Sequence, residues 1–381
     1  MSSRTASDVL IAGAGLSGLA LAERLVDAGH SGRIILVDRT VGTFRDRTWC
    51  FWGEVPAALA PYVARSWRRL RLATPETSVV GRLDREPYHL IRGETWGNAV
   101  VRKLSEDPRV RFVRGEVRGL TDHGDHVVLE TSQGSLRGDW GFRGLGHPAA
   151  PPQDLIQHFG GWEVETERPA FDPRVATLME FGPSADGAAF HYVLPTSRTR
   201  ALVEYTVFSS SPLHRGAYDQ RVAAYLERTV SGPWRRLRAE YGALPLMRRP
   251  PPQQESPRIL RIGASGGMTK PSTGYTFLST LAQAEHLART LTRTGRPEPL
   301  PAGPARFRFY DRVLLRLLRE RPERASEAFL RLFEDNDFDR VLRFLAERTA
   351  PHEELWLLSA LPVLPFLGLL EPRRWTEVSA P

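Results

Sequence analysis

The stretch "DVLIAGAGLSGLALAERLVDAG" (residues 8–29) changes its period partway along. Asp8 to Ala12 is a short apolar run of the kind found in buried strands. Leu16, Leu19, Ala20 and Leu25 then recur at helical spacing until Gly29. "RIILVD" (33–38) supplies the second strand of a βαβ unit. "YHLIRGETWGNAVVRKL" (88–104) predicts a short strand followed by a helix, and residues 110–140 alternate like a small antiparallel meander with turns at "DHGD" and "SQGS". From residue 161 the strands lengthen: "TLMEFG", "AAFHYVLPTS" and "RALVEYTVF" predict a mostly antiparallel sheet, suited to the floor of a substrate domain. "PRILRIGASGGMTKPSTGYTF" (257–277) returns to strand, glycine turn and helix, so the chain re-enters its first domain. Beyond the proline-rich joint at 295–307, residues 307–371 read as helical, and "RRPPPQQESP" reads as a surface loop.

With 381 residues, 41% of them hydrophobic and 25% charged, the chain is long enough for two domains and has a globular composition. The net charge is +8, and Lys103 and Lys270 are the only lysines. The arginines are scattered and accompany no nucleic-acid-binding motif, so nucleic acid is not an expected partner; a basic surface also suits anionic lipid headgroups. A single cysteine, Cys50, excludes an internal disulfide, a dithiol redox pair and a cysteine-cluster metal site, and no metal is expected. The N-terminus shows no signal peptide, and a reducing cytoplasm fits. "LWLLSALPVLPFLGLL" (355–370) is shorter than the ~20 residues a span needs, and Pro362 and Pro365 interrupt it. It reads as a buried terminal helix or as an apolar surface lying on a bilayer, with Leu367 and Leu370 as candidate contacts.

Gly13, Gly15 and Gly18 form G-x-G-x-x-G after a strand and at the start of a helix, with Asp38 at the end of the next strand. The first glycine permits the turn, the second lets backbone (with Ala14) approach a pyrophosphate, and the third allows helix–sheet packing. The helix N-terminus attracts phosphate, and Asp38 is placed for a ribose hydroxyl. That motif alone does not separate FAD from NAD. The second glycine-rich element, with Gly266, Gly267, Pro271 and Gly274, favours FAD, because two-part flavoproteins return in this way to close over the flavin. The residue after that turn's first glycine is Ala264, where many such proteins carry an aspartate.

Glu204 lies on the apolar strand "RALVEYTVFS", sharing a face with Leu202 and Thr206 while Val203, Tyr205 and Val207 share the other. Desolvation there would keep it protonated and able to donate; the alternative is a salt bridge to Arg198 or Arg200. "RTWCFW" crowds Trp49, Phe51 and Trp52 around Cys50. They are candidates for the wall of an apolar site, or ordinary domain packing. His89 in "YHLIRG" (with Tyr88 and Arg92) reads as a satisfied structural histidine.

Taken together, "RTWCFW", "YHLIRG", "QHFGGWEVETERPAFDP", "TLMEFG", "YVLPTSRTRALVEYTVFS" and "GGMTKPSTGYTF" resemble the bacterial lycopene cyclase family, the β-type, in the family's order. With the N-terminal fingerprint, the resemblance spans residues 8 to about 285. It implies an α/β flavoprotein of two domains in the glutathione-reductase style. The FAD-binding βαβ domain would comprise residues 1–75, 101–150 and 256–300. It would interleave with an antiparallel-sheet substrate domain (76–100, 151–255) and precede a helical C-terminal region (301–381). Family members act on lycopene and related acyclic carotenoids, using reduced FAD with NADPH or NADH as reductant. The resemblance therefore implies a cytoplasmic protein in peripheral contact with the inner face of the membrane.

Carried onto this chain, the family's essential acid/base is Glu204. Where relatives often show Asp-x-Arg at a strand end, this chain reads "GFRGLG", with Gly141 at the acid's position. The implied reaction is non-redox: a proton added to the terminal double bond gives a tertiary cation, the ring closes, and loss of a ring proton leaves a β-ionone ring. Cation–π contact with Trp49, Phe51 or Trp52 would contribute roughly 0.5–2 kcal/mol. An anionic reduced flavin at ~4 Å would contribute about 4 kcal/mol at an effective dielectric of ~20. Three other readings share the fold: a flavin monooxygenase, an isoprenoid-chain reductase, and a non-enzymatic lipid or prenyl escort.

Overall fold

A computed structural model describes residues 7–42, 44, 47–145 and 154–359. The chain opens with β1 (Val9–Ala12), α1 (Leu16–Asp27) and β2 (Ile34–Asp38). Next come β3 (Thr48–Trp52), β4 (Val63–Trp67) and the hairpin of β5 (Arg69–Ala73) and β6 (Ser78–Arg82). β7 (Tyr88–Arg92) runs directly into α2 (Gly93–Ser105), and β8 (Val110–Arg114) follows. β9 (Val117–Asp122), β10 (Val127–Thr131) and β11 (Gly134–Gly138) form a meander that leads to β12 (Trp140–Arg143). The long strands are β13 (Leu155–Thr166), β14 (Ala176–Phe181), β15 (Ala188–Pro195) and β16 (Arg200–Ser209). α3 (Arg215–Thr229) precedes β17 (Trp234–Leu246), and β18 (Gln254–Ser256) and β19 (Ile259–Arg261) return to the first sheet. The rest is helical: α4 (Phe277–Thr294), α5 (Ala305–Glu320), α6 (Ala325–Glu334), α7 (Phe338–Leu345) and α8 (Pro351–Ser359).

Two large sheets organise these elements. The first has the order β18-β19-β12-β1-β2-β8, parallel except for the β18 edge. α1 packs between α2 and α4 on one face, and the meander covers the other through Leu120, Val127 and Leu129 against Leu10 and Ile35. Burial on both faces accounts for the unbroken apolar runs of β1 and β2. β8 was expected in the meander and is instead the sheet's parallel edge strand beside β2.

The second sheet has the order β17-β13-β16-β15-β14-β5-β6, antiparallel except where β5 meets β14. A boundary at residue 75 would cut the β5–β6 hairpin, so the chain enters this sheet near Arg69. The 76–100 segment also divides, since β7 joins β3 and β4 in a small sheet and α2 packs on α1. One face of the second sheet packs Val203, Tyr205 and Val207 against Val222 and Leu226 of α3. The other face carries Leu202, Phe190 and Phe208 toward a helical roof, where Phe329, Phe333 and Leu342 belong to the same apolar core.

The roof is fastened by polar contacts as well as by burial. Asp339, at the start of α7, accepts the backbone N–H groups of Asp84 (2.9 Å), Arg85 (3.1 Å) and Glu86 (2.8 Å). Trp52 donates its indole N–H to the carbonyl of Leu342 at 2.8 Å. Lys270 reaches Asp311 of α5 (2.9 Å) and Glu347 (2.8 Å), tying the late glycine-rich loop to the roof. Among the described residues no helix is long and apolar enough to cross a membrane; residues 361–370, with Leu367 and Leu370, lie outside those described. Replacing Asp339 by Ala removes the acceptor of three backbone donors, that of Glu86 buried and those of Asp84 and Arg85 part-buried. It should lower unfolding free energy by about 2–4 kcal/mol in a denaturant melt, and a loss below ~0.5 kcal/mol would mean the roof is held without this anchor.

Candidate active site

One cavity of about 440 Å³ runs between the two sheets, reaching from the β1–α1 loop to the roof helices. At its first end, Gly13 takes φ 109° and donates its N–H to the Val37 carbonyl at 2.8 Å. A Cβ at Gly18 would sit 1.9 Å from the Gly13 carbonyl oxygen, so only glycine lets α1 start this close to β1. A Cβ at Gly15 would meet nothing within 4 Å, and no side chain caps α1 there, which leaves the helix N-terminus facing open space. Asp38 accepts the N–H of Ala14 at 2.8 Å and that of Thr40 at 3.0 Å, placing its carboxylate beside the same turn.

Gly15, Leu16 and Ser17 line the cavity opposite Gly144, Gly263 and Ala264. Gly263 is the glycine that makes this approach. Its φ is 63°, and a Cβ on it would lie 2.6 Å from Ser17 Cβ. Of the residues expected from the late element, Gly274 lines the cavity; Gly266, Gly267 and Pro271 do not. Gly266 is pressed against the Arg261 carbonyl and Gly267 against Pro250. Gly141, where the acid was expected, lies away from this end. A side chain there would meet Val127, Leu120 and Ile259 beneath the meander, away from the cavity.

At the other end, Glu204 is 7% exposed and lines the cavity with Leu202, Thr206 and Phe208. Arg200 pairs with Glu165 instead, so the nearby arginine does not neutralise Glu204. Burial holds the Glu204 carboxyl well above the ordinary carboxylate range, and Glu240, which also hydrogen-bonds to it, pushes further the same way; the Arg238 guanidinium opposes them. Glu240 was not a sequence candidate. It sits in "RRLRAEYG", whose run of arginines hides the alternation of a half-buried strand.

Strand alternation puts Trp49 and Phe51 on one face of β3 and Trp52 on the other, yet the cavity takes one ring from each face. Trp49 lines the cavity and stacks on Phe277 at 5.3 Å and 19°. Trp52, on the opposite face of β3, also lines it and meets Tyr275 edge-on at 4.5 Å. Phe51 does not line the cavity. It is buried between Phe277 (5.7 Å) and His89 (5.0 Å) in the core of the first domain. His89 accepts from Ser66 Oγ at Nδ1 (2.7 Å) and donates from Nε2 to the Gly53 carbonyl (2.9 Å), which satisfies both ring nitrogens. Arg92 pairs with Glu163.

Tyr88 hydrogen-bonds through its hydroxyl to those of Tyr192 (2.5 Å) and Tyr275. Burial raises all three phenols above their usual range, and pushes the thiol of Cys50, which lies against this cluster, up to about 12. At pH 8 a thiol reagent should therefore label the folded protein roughly 50-fold more slowly than a free cysteine, and the unfolded chain at the ordinary rate. Equal rates in both states would place Cys50 in water.

Residues 8–370 match the family model described as "Lycopene cyclase protein". A lycopene beta-cyclase of Paracoccus sp. is 31% identical over 210 residues, covering 53% of this chain and 51% of that one. A lycopene beta-cyclase of Pantoea ananas is 23% identical over 390 residues, covering 96% and 97%. A geranylgeranyl bacteriochlorophyll reductase-like protein from Thermoplasma acidophilum superposes with a TM-score of 0.65 at 13% identity, over 95% of this chain and 98% of that one. Klebsiella pneumoniae HpxO, solved as a complex with FAD, gives a TM-score of 0.52 at 14% identity, over 94% and 100%. The structural likenesses establish the expected mixed α/β fold of FAD-dependent flavoproteins with a helical C-terminal region. On the match to its whole-chain model, this chain belongs to the lycopene cyclase family.

Proposed function

We propose that the chain is a lycopene β-cyclase, converting the acyclic ends of lycopene to β-ionone rings by way of γ-carotene to β-carotene. The observation that carries the reading is Glu204, a carboxyl on the wall of an apolar cavity whose burial holds it well above the ordinary carboxylate range. Family membership supports lycopene cyclisation; the acid and its setting supply the chemistry. A polyene end against Glu204 would take a proton at its terminal double bond. Leu202, Phe190, Phe208, Phe329 and Phe333 would keep out water that traps the cation, while Trp49 and Trp52 offer ring faces and edges near it.

The residues at the other end fit FAD. Gly13, Ala14 and Gly15 would hold its pyrophosphate against α1, which Gly18 seats on β1, Asp38 would hold its ribose, and Gly263, Ala264 and Gly274 would border the space beyond. Gly266, Gly267 and Pro271 would shape that loop from behind. Bound in its reduced form, with NADPH or NADH as reductant, FAD would supply negative charge to balance a cation. Exposed Leu355 (73%) and Trp356 (71%) on α8, next in sequence to the apolar 361–370 segment, support peripheral contact with the cytoplasmic face of a membrane.

The first test is expression in lycopene-accumulating cells with pigment chromatography. Wild type should yield cyclic carotenes, and Glu204→Gln should yield none while still binding FAD. Lycopene left untouched by wild type under reducing conditions, or NADPH consumed in step with product, would replace this reading with a reductase or monooxygenase. Glu204 must hold its proton to act. Because its folded-state pKa is raised, cyclisation should persist through neutral pH and fall as alkaline pH ionises the carboxyl; a rate that rises there instead would remove the acid role.

Trp52→Leu should slow turnover about 3- to 30-fold, with Trp52→Phe retaining most of it. Phe51→Leu should cost stability and leave turnover near wild type. Equal kinetic losses at 51 and 52 would mean the rings act through packing alone.

A further inference from the structure

Glu204 and Glu240 stand on strands that do not touch. β13 runs between β16 and β17, and its Gly161 is in register with Glu204 on one side and with Glu240 on the other. A Cβ on Gly161 would come within 2.4 Å of Glu204 Cγ, so the missing side chain leaves Glu204 room over the intervening strand, and both glutamates line the cavity. Glu240 is 3% exposed and is fixed from its far side. Thr48 donates to Glu240 Oε2 at 2.9 Å, and Arg238 donates to Thr48 Oγ1 at 3.1 Å while lying 3.6 Å from the same carboxylate oxygen. Arg238 also lies 3.5 Å from Glu163, which Arg92 holds in turn at 2.7 Å.

We propose that Glu240 is the positioning residue of the acid step, its carboxylate holding one end of a single proton whose other end is on Glu204. The inference rests on Glu204 being the acid and names what keeps it loaded. The proton leaves Glu204 for the terminal double bond, whose π pair forms the new C–H bond and leaves a tertiary cation. After ring closure a ring C–H bond breaks, its electron pair becomes the new double bond, and the proton returns to the carboxylate pair. The pair begins and ends with one proton, and no oxidant, reductant or outside base enters the count. Once the proton is given up, two neighbouring carboxylates face the cation.

The other groups around Glu204 do not take this part. Arg238 shares β17 with Glu240, Cys50 faces from β3, Tyr192 from β15 in register with Glu204, and Tyr275 from the loop before α4, with Tyr88 of β7 behind them. The only other charged side chain on the cavity wall among the described residues is Arg47, which donates to the Tyr241 carbonyl at 3.3 Å. The roof contributes Phe329, Phe333, Leu342 and Leu345, none of which titrates.

The test is an infrared titration of the full-length FAD-loaded protein, following the protonated-carboxyl band and assigning it by its loss in Glu204→Gln. In Glu240→Gln the band should vanish about 1–2 pH units below its wild-type midpoint. The alkaline limb of cyclisation should move by the same amount, and turnover should recover toward acid pH. Glu240→Asp, which keeps the charge one methylene further off, should move both less and in the same direction, and is the variant to read if the glutamine form does not fold. Gly161→Ala should disturb the band in the same sense by crowding Glu204.

A band that titrates as in wild type overturns the proposal, as does turnover lost equally at every pH. If wild type shows the shared-proton band and the Glu240 shift yet leaves lycopene unchanged, the pair stands and the substrate assignment falls. If lycopene is cyclised and the band ignores Glu240, the reverse holds.

Discussion

A carboxyl group taken out of water keeps its proton unless a cation is brought against it, and the cavity floor is laid out around that constraint. The arginine nearest the acid, Arg238, is drawn toward Glu240, Thr48 and Glu163 instead. Leu202, Phe190 and Phe208 surround Glu204 with hydrocarbon, so ionising it without a charge to balance would be costly. The opposite end of the same cavity has the opposite character, an uncapped helix N-terminus that favours negative charge. Two domains with different sheets are needed because neither sheet alone offers both environments.

How much of this was legible in the chain depends on how local each feature is. Gly13, Gly15, Gly18 and Asp38 fall within one βαβ unit, where the turn, the helix start and the strand end are all neighbours in sequence. Glu204 was legible because the alternation along "RALVEYTVFS" places a lone carboxyl on one face of an apolar strand. Glu240 is its neighbour only through the pairing of a third strand, and strand order across a sheet leaves no mark in any single stretch. Phe51 is a different case. Residues 49, 51 and 52 of one strand cannot all point the same way, but alternation groups Phe51 with Trp49, and only the packing of Phe51 between Phe277 and His89 takes it from the cavity. Residue type alone had grouped all three.

The late glycine-rich element was expected to return the chain to its first domain, and β19 does join the first sheet beside β12, but the parts played by its individual glycines were not legible. "GASGGMTKPSTG" has four, and their roles differ by contact. Gly263 makes the close approach to Ser17, Gly266 and Gly267 let the loop fold on itself, and Gly274 faces the cavity. Spacing fixes that a turn exists; which glycine meets the neighbouring loop follows from how β19 enters the sheet beside β12. The β5–β6 hairpin likewise joins a sheet whose remaining strands begin more than seventy residues later, a distance over which apolar patterning carries no address.

Of the chain's 52 basic residues, two are lysine, and both stand between two carboxylates. Lys103 lies 3.2 Å from Glu23 and 2.7 Å from Asp27; Lys270 lies 2.9 Å from Asp311 and 2.8 Å from Glu347. A compact ammonium can sit at the meeting point of two acids, where a planar guanidinium would have to present its fork to one and turn its edge to the other. Each ammonium joins separate elements: Lys103 ties α2 to α1, and Lys270 ties the loop before α4 to α5 and to the turn after α7. The second of these is the knot that holds the late glycine-rich loop beneath the roof.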